Sequence, residues 1–209
     1  MTIRTPVEQT QLDESSVDAS PVGQFKLWFN EALRDGEIIE PNAMALATIG
    51  PKGQPSVRIV LLRGCDENGL VFFTNYESRK GHELKKNARA ALLFYWASLE
   101  RQIRIEGTVV KLVASESDAY FNKRPRGHRL SAWASKQSDV VPNRAFLDAR
   151  MDEEAQRWAG RDIERPPYWG GFILRPHSFE FWQGRRDRVH DRIAYTKQRH
   201  GWSIARLSP

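Results

Sequence analysis

The sequence predicts a mainly β protein, an antiparallel β-barrel decorated by helices. After one helical segment, the apolar pattern changes to short strand-like runs. Turn signals rich in Pro, Gly, Asp and Asn separate consecutive runs, which is typical of a meander. Several strand-like runs precede the long charged helix and more follow it, and this order favours a barrel.

The chain begins with a polar stretch and an amphipathic helix. Residues 1–20 show no periodicity, so we predict a flexible arm, followed by a single domain over residues 21–209. From Pro21, apolar residues recur at three- and four-residue spacing, which predicts a helix that ends at Asp35 and Gly36, with Gly36 as a left-handed C-cap. These apolar residues are Phe25, Trp28, Phe29, Ala32 and Leu33.

The next part of the chain predicts several strands and one short basic helix. Tight turns are indicated at residues 51–53 (PKG) and 66–69 (DENG). Ser78 is placed to cap the helix, which spans residues 79–86. The predicted strands span residues 43–49, 56–63, 70–74, 90–96 and 103–113.

The second half of the chain predicts further helices and strands. Ser115 and Asp118 form a capping signal for a helix that carries Tyr120, and a loop rich in Arg and Gly follows this helix. A charged helix is predicted over residues 142–158, and the prolines at 166–167 interrupt the chain. The final strands are predicted at residues 169–174, 178–182, 193–196 and 202–207.

Composition limits the classes of partner. The 209 residues are 40% hydrophobic and 28% charged, as in a folded globular domain, and the net charge of +6 favours anionic partners. Candidate partners are nucleic acid, a membrane surface and phosphorylated small molecules. The single cysteine, Cys65, excludes an internal disulfide and favours a reducing compartment, so we expect a cytoplasmic protein. The sequence shows neither a membrane-spanning run nor a secretory signal.

Standard catalytic and cofactor motifs are absent from the sequence. It contains no glycine-rich dinucleotide fingerprint, no P-loop and no Gly-x-Ser-x-Gly nucleophile elbow. The five histidines have no paired metal-ligand spacing, and one cysteine cannot build a zinc site. The remaining candidates are Arg and Lys residues placed among aromatic residues in strands and loops.

Two pairs of cations lie in the first half of the chain. Arg58 and Arg63 are an odd number of positions apart, so they would face opposite sides of a flat strand. Both would still reach a ligand beside a pocket that two subunits share. Arg79 and Lys80 follow a helix cap, where free backbone amides also favour an anion.

The second half adds two further basic patterns. Tyr120 and Arg124 are four positions apart and share one helix face. Four residues alternate at period two, which in a strand would place them on one side, where they repel unless an anion lies between them. They are Arg186, Arg188, His190 and Arg192. Each feature alone is more typical of a solvated surface, whereas their joint occurrence favours one or two phosphate groups as ligands.

With these residues identified, the chain resembles the pyridoxine/pyridoxamine 5'-phosphate oxidase family from about Pro21 to Pro209. The resemblance implies a split β-barrel that binds FMN at a homodimer interface, with a C-terminal dimerisation and active-site segment. The matching segments are RIVLLR (58–63), FFTNYESRKGHEL (72–84), RQIRIEG (101–107), YFNKRPRGHRLSAWASKQS (120–138), WGGFIL (169–174), FEFWQGRRDRVHDRIAY (179–195) and the final RLSP.

The resemblance also implies site residues. The implied FMN contacts are Arg58, Ile59, Val60, Leu61, Leu62, Arg63, Phe73, Thr74, Arg79, Lys80, Gln102, Gln137, Ser138, Trp182 and Arg192. The implied substrate contacts are Arg63, Tyr120, Arg124, His128, Arg188, Val189 and His190. Of these, Arg188 and His190 face the pyridine ring and are the implied catalytic residues.

The implied reaction belongs to vitamin B6 metabolism and makes the protein a flavoprotein oxidoreductase. A hydride equivalent passes from C4' of pyridoxine or pyridoxamine 5'-phosphate to the flavin, which yields pyridoxal 5'-phosphate. Molecular oxygen then reoxidises the flavin and gives hydrogen peroxide. The expected partners are therefore a phosphorylated pyridine, O2 and a second copy of the chain, without nucleic acid, membrane or metal.

The sequence departs from the family pattern near the substrate phosphate. Arg63 replaces a usual Lys, His128 a usual Ser, and Ser131 a usual Gly. An Arg-x-x-Tyr element that covers the substrate in some members is absent, because Val7 follows Arg4 at that spacing. Two alternatives stay open at this point: a split-barrel flavin oxidase of another ring, as in phenazine formation, and a non-catalytic binder of FMN or pyridoxal 5'-phosphate. Nucleic-acid binding is disfavoured because no predicted helix carries a continuous basic stripe.

Overall fold

The computed structural model describes residues 11–209, so half of the predicted arm, residues 1–10, lies outside the described residues. The helices are α1 (Pro21–Arg34), α2 (Arg79–Lys86), α3 (Ala114–Asn122), α4 (Arg126–Ala134) and α5 (Arg144–Arg157). The strands are β1 (Ala43–Ile49), β2 (Pro55–Leu61), β3 (Gly64–Asp66), β4 (Gly69–Asn75), β5 (Arg89–Trp96), β6 (Arg101–Lys111), β7 (Trp169–Gln183), β8 (Asp191–Lys197) and β9 (Trp202–Arg206). No helix within residues 11–209 has the length and apolar character to cross a membrane.

One antiparallel sheet forms the body of the molecule, which confirms the predicted fold class. Its strands run in the order β2-β1-β5-β6-β7-β4-β3, and β8 pairs with both β7 and β9. The sheet curves at the long strand β7, because the first half of β7 pairs with β4 and its second half pairs with β8. Pro176 lies between these halves and has no N–H to donate, so the sheet changes neighbour there. The two strands predicted at 169–174 and 178–182 are therefore one continuous strand.

Helix α1 covers the inner face of the sheet. Ser20 caps this helix by accepting a hydrogen bond from the amide of Gly23. The helix buries Phe25 and Trp28, and the Trp28 ring meets Phe181 edge to face at 5.3 Å. The helix ends at Arg34, with Asp35 as its C-cap residue at a φ of −75°. Gly36 does not have a positive φ, so the predicted left-handed cap at Gly36 is wrong.

The described part of the predicted arm packs on the C-terminal strands. Leu12 is buried, and its amide donates to Asp191 at 3.3 Å. The Tyr195 hydroxyl donates to the backbone carbonyl of Asp18 at 2.7 Å, and Arg206 pairs with Glu14. These contacts join residues 12–18 to β8 and β9.

Two predictions from local sequence patterns are wrong in the part of the chain between β6 and β7. The predicted Arg- and Gly-rich loop is in fact helix α4, which buries Leu130, Ala132 and Ala134. Packing of this apolar stripe stabilises a helix whose polar composition did not predict one. Helix α3 begins at Ala114 with Val113 as its N-cap residue, so Ser115 lies inside the helix rather than at its cap.

Candidate functional site

A basic cavity of about 1020 Å³ opens where β2, β4, α2, α3 and α4 meet. We call it the basic cavity throughout. Within residues 11–209 its lining contains no Asp or Glu, so its positive charges are not neutralised at the wall. Such a surface favours an anionic ligand. The cationic lining consists of Arg58, Arg63, Arg79, Lys80, Lys123 and Arg124, with His128 beside them.

Arg58 and Arg63 line the same cavity despite their odd spacing. Strand β2 ends at Leu61, and the Arg63 amide then donates to the carbonyl of Val71 at 2.8 Å. Because the chain leaves the strand before Arg63, the alternation of strand side chains no longer applies to it. One subunit therefore brings this pair together.

The start of helix α2 supplies a second pair of cations. Ser78 caps the helix through the amide of Gly81, which places Arg79 and Lys80 in the first turn. The Lys80 ammonium donates to Thr74 Oγ1 at 3.0 Å, to Ser78 Oγ at 3.1 Å and to Gln137 Oε1 at 3.0 Å. Burial, together with the nearby charge of Arg58, lowers the pKa of Lys80 to about 8.

Ser138 completes this end of the cavity. Its hydroxyl accepts from the amide of Arg79 at 3.2 Å. The backbone of Ser138 has a φ of +80°, a left-handed conformation that is uncommon for a residue with a side chain. Strained residues of this kind occur often at ligand sites, where the surrounding contacts hold them in place.

Glu83 lies behind the cations, and the sequence analysis did not identify it as a site residue. Its side chain is only 4% exposed and accepts hydrogen bonds from Thr48, Ser56, Arg58 and Arg79. Burial acts to raise the pKa of Glu83, but the hydrogen bonds from these four residues outweigh it and lower the pKa to about 2. Its four-residue spacing from Arg79 on one helix was the sequence signal for this contact.

Aromatic rings form the opposite wall of the cavity. Phe73 stacks on Tyr120 with ring centroids 3.9 Å apart and on Trp169 with centroids 5.5 Å apart. The Arg124 guanidinium lies 4.5 Å from the centroid of the Trp169 ring. Arg124 Nη1 is buried without a hydrogen-bond partner among the described residues. Burial lowers the pKa of Arg124, with smaller effects from Tyr120, which raises it, and from Arg63, which lowers it.

Trp169 is a second residue that the sequence analysis did not place at the site. Its segment belongs to the family resemblance, but nothing local indicates that its ring reaches Phe73 and Arg124. The pairing of Trp169 with Asn75 across β7 and β4 brings the ring to the cavity.

The basic cavity collects most of the predicted contacts. Leu62 is the exception within its segment, because it is buried in the main core. The predicted FMN contacts in the lining are Arg58, Ile59, Val60, Leu61, Arg63, Phe73, Thr74, Arg79, Lys80, Gln137 and Ser138. The predicted substrate contacts in the lining are Arg63, Tyr120, Arg124 and His128.

A second group of predicted residues lies outside this lining. We call it the C-terminal cluster, and its members are Gln102, Trp182, Arg188, Val189, His190 and Arg192. Gln102, Trp182 and Arg192 occupy neighbouring register positions on β6, β7 and β8. The Trp182 and His190 rings lie 4.6 Å apart, and the His190 Nδ1 atom accepts from the amide of Arg185 at 3.1 Å.

The period-two prediction for residues 186–192 is wrong. Residues 186–188 form a short 3₁₀ turn, and β8 begins only at Asp191. Asp187 and Arg188 both have left-handed φ values, +57° and +61°. The turn therefore replaces the strand that would have placed all four side chains on one face.

An exposed apolar patch accompanies the C-terminal cluster on the outer face of the sheet. Val57, Ile59 and Tyr95 are 66%, 65% and 61% exposed. Tyr95 on β5 is paired with Gln102 on β6, and Gln102 is paired with Trp182 on β7, so the three side chains lie on the same face of the sheet. Large contiguous apolar surfaces of this kind mark interaction sites.

Comparison with known proteins identifies relatives along almost the whole chain. The family model described as pyridoxamine 5'-phosphate oxidase matches residues 29–158, and the model described as the pyridoxine 5'-phosphate oxidase C-terminal dimerisation region matches residues 169–209. A pyridoxine/pyridoxamine 5'-phosphate oxidase of Ralstonia pickettii is 56% identical over 99% of this chain and 97% of its own length. One of Paraburkholderia phymatum is 57% identical over 95% of this chain and 93% of its own length.

Solved structures show the same fold. PhzG of Burkholderia lata, solved with tetrahydrophenazine-1-carboxylic acid, has a TM-score of 0.89 and 33% identity, covering 97% of this chain and 100% of that chain. A pyridoxamine 5'-phosphate oxidase-related, FMN binding protein of Nostoc punctiforme has a TM-score of 0.72 and 19% identity, covering 91% of this chain and 98% of that chain.

Proposed function

The chain belongs to the pyridoxamine 5'-phosphate oxidase family, and from this premise we propose that it oxidises pyridoxine or pyridoxamine 5'-phosphate to pyridoxal 5'-phosphate. The cofactor is FMN, and the electron acceptor is O2, which is reduced to H2O2. With pyridoxamine 5'-phosphate, water supplies the aldehyde oxygen and ammonia is released. The observation that carries the proposal is the basic cavity, whose cations face a space free of carboxylates among the described residues.

The residues at the start of α2 fit the FMN phosphate. Arg79 is 63% exposed and bonds Glu83 through Nε, while its Nη1 and Nη2 atoms have no hydrogen-bond partner among the described residues. Together with Lys80 and Ser138 it would hold the phosphate by charge-assisted hydrogen bonds. The volume of about 1020 Å³ is at the upper end of ordinary ligand pockets, which suits a flavin and a small substrate together. When bound, FMN supplies the two-electron redox chemistry.

The far side of the cavity fits the substrate phosphate. Arg124 has a buried Nη1 without an acceptor among the described residues, and a buried polar group in this state is costly unless a ligand pairs with it. Tyr120, Arg63 and His128 line the same region and would complete this phosphate site. The two phosphate sites would then lie in a single cavity.

The C-terminal cluster would complete the site from a second subunit of a homodimer. Two features support this arrangement: the cluster does not line the basic cavity of its own chain, and the apolar patch continues the same sheet face. The family model for residues 169–209 is described as a dimerisation region. In this arrangement Gln102, Trp182 and Arg192 contact the flavin, as do Ile59 to Leu61 of the other chain.

Arg188 and His190 would act on the pyridine ring. Because His190 Nδ1 accepts from a backbone amide, the neutral imidazole carries its proton on Nε2, which would then donate to the 3'-oxygen attached to the pyridine ring of the substrate. Arg188 would lie near C4' and assist removal of the alcohol or amine proton. These roles hold the substrate so that C4' faces the flavin.

Steady-state kinetics on the FMN-saturated protein tests the proposed function. We expect pyridoxal 5'-phosphate and H2O2 in equal amounts from either phosphorylated substrate, and little turnover of unphosphorylated pyridoxine. Anaerobic substrate should bleach the yellow protein, and air should restore the colour. A protein that stays yellow would instead be a non-catalytic binder.

A phenazine-type flavin oxidase is the second candidate, favoured by the similarity to PhzG at 33% identity. A tetrahydrophenazine carboxylic acid has a carboxylate instead of a phosphate, and a carboxylate would also pair with the unpartnered Arg124. Oxidation of that acid, combined with no formation of pyridoxal 5'-phosphate, would favour this candidate over the first.

A further inference from the structure

We propose that Glu83 is a positioning residue that aims Arg79 and Arg58 at the FMN phosphate. The proposal rests on the proposed FMN site and adds a residue that does not itself line the cavity. Glu83 accepts from Arg79 Nε through one carboxylate oxygen, at 2.9 Å, and from Arg58 Nη2 through the other, at 3.1 Å.

The contact with Arg79 determines which donors remain for a ligand. A guanidinium held through Nε keeps both terminal nitrogens on the opposite side, in the fork geometry that suits a phosphate. Arg79 is otherwise well exposed, and no other side chain among the described residues bonds its guanidinium. The contact with Glu83 therefore holds the exposed side chain of Arg79 in one orientation.

Two hydroxyls fix the carboxylate and Arg58 as a unit. Ser56 Oγ donates to Glu83 Oε2 at 2.7 Å and accepts from Arg58 Nη2 at 2.6 Å. Thr48 Oγ1 donates to the same carboxylate oxygen at 2.5 Å and accepts from Arg58 Nη1. Every donor of this network lies on β1, β2 or α2, so Glu83 also joins the helix to the edge of the sheet.

The local charge balance fits a phosphate dianion. Arg58, Arg79 and Lys80 are three cations, and Glu83 removes one of these charges from behind. The remaining charge matches a phosphate monoester, which carries about −1.5 to −2 near neutral pH. Without Glu83 the cations would repel one another before the ligand arrives.

Equilibrium dialysis of the full-length protein against FMN and against riboflavin tests this role with the Glu83→Gln variant. We expect the Kd for FMN to rise about tenfold or more, because the variant loses the charge-assisted hydrogen bonds that orient Arg79 and Arg58. The Kd for riboflavin, which has no phosphate, should change less than about twofold. Glu77→Gln is the matched control, since it removes an exposed carboxylate beside the same helix and should change neither Kd.

Arg79→Lys provides the second variant, which keeps the charge but loses the Nε contact. We expect it to weaken FMN selectively, and Glu83→Gln added to it should cost clearly less than it does in the wild-type background, because only the contact with Arg58 is left to lose. A Kd for FMN that is unchanged or lower in Glu83→Gln would overturn the proposal. An equal rise of the Kd for FMN and for riboflavin would also overturn it. So would a double variant in which the effects of Glu83→Gln and Arg79→Lys on the free energy of FMN binding add in full. If Glu83→Gln does not fold, Arg79→Lys decides alone, and FMN affinity equal to wild type overturns the role. A wild-type protein that does not bind FMN would instead refute the proposed function.

Discussion

The basic cavity and the C-terminal cluster differ in how completely carboxylates pair with their positive charges. In the basic cavity, Lys80 bonds only neutral oxygens, and Arg124 keeps a buried nitrogen without an acceptor among the described residues. In the cluster, Arg192 donates to Glu180 at 2.8 Å, and nearby Arg185 pairs with Asp191 at 3.5 Å. Two other arginines of the cavity share the buried Glu83, so the contrast concerns Lys80 and Arg124, whose lack of a carboxylate partner among the described residues indicates a site prepared for an anion.

The two regions also differ in how their backbone is held. The cations of the cavity stand on β2 and α2, and Glu83 connects these elements. Arg188 instead lies in a tight turn with left-handed backbone, and Val189 beside it is exposed. The proposed phosphate-binding half is thus held by contacts within one chain, whereas the turn proposed to act on the pyridine ring is exposed.

The Arg188→Ala variant should have the largest effect, and this effect should fall on catalysis and not on FMN binding. If Arg188 assists proton removal at C4', kcat should fall by about 100-fold or more, the usual contribution of a general acid–base group. The Kd for FMN should stay within about twofold, because the cavity residues are untouched. Steady-state turnover and FMN dialysis measure the two quantities, and an unchanged kcat would show that the role is wrong.

Mixing two inactive variants tests whether the regions of different chains meet. Arg124→Ala disables the cavity, and Arg188→Ala disables the cluster. In a shared-site dimer each hybrid has one intact site of two, so the purified hybrid should have about half of the wild-type activity per dimer. Co-expression with separate affinity tags, followed by an assay of the doubly tagged species, provides the measurement.

Each variant co-expressed with a second copy of itself is the control for this mixing experiment. If each site were built by one chain, hybrids would contain two damaged sites, and no activity would return. A monomeric protein would yield no doubly tagged species.

Raising the pH should weaken the cavity through Lys80. The pKa of Lys80 in the free protein is lowered to about 8, so above that value the residue must gain a proton when a phosphate binds. We expect the Kd for FMN to rise about tenfold between about pH 7 and about pH 9. Dialysis at each pH measures this change, and Lys80→Met should bind more weakly but lose the pH dependence. A flat wild-type profile would place Lys80 away from the phosphate.

His128→Ser should have the smallest effect. His128 is exposed at the cavity wall, where water competes for its hydrogen bond, so we expect its loss to raise KM for both substrates about three- to tenfold, the range of an ordinary hydrogen bond. The Kd for FMN should not change. Initial rates over a range of substrate concentrations measure KM, and an unchanged KM would remove His128 from the phosphate site. His177→Ser, on β7 outside the cavity lining, is the matched control.

Local patterns were sufficient where a segment determines its own structure. The predicted bounds of β1 at 43–49 and of α2 at 79–86 agree with the structure, because apolar alternation and the Ser78 cap are properties of neighbouring residues. Helix α4 was not predicted, because its stability comes from burying Leu130 and Ala132 against another part of the chain. Two strands were predicted at 169–174 and 178–182, yet pairing with β6 continues on both sides of Pro176 and makes them one strand.

The sequence by itself determined the mainly antiparallel fold, the surplus of positive charge and the family resemblance that pointed to FMN. Only the tertiary structure decided that Arg58 and Arg63 face one cavity, that Glu83 lies behind Arg79, and that Trp182 does not line this cavity. These arrangements depend on strand register and on the point where β2 ends, which bring distant residues together. Residue spacing along the chain does not encode such long-range pairing, because it results from how whole elements pack.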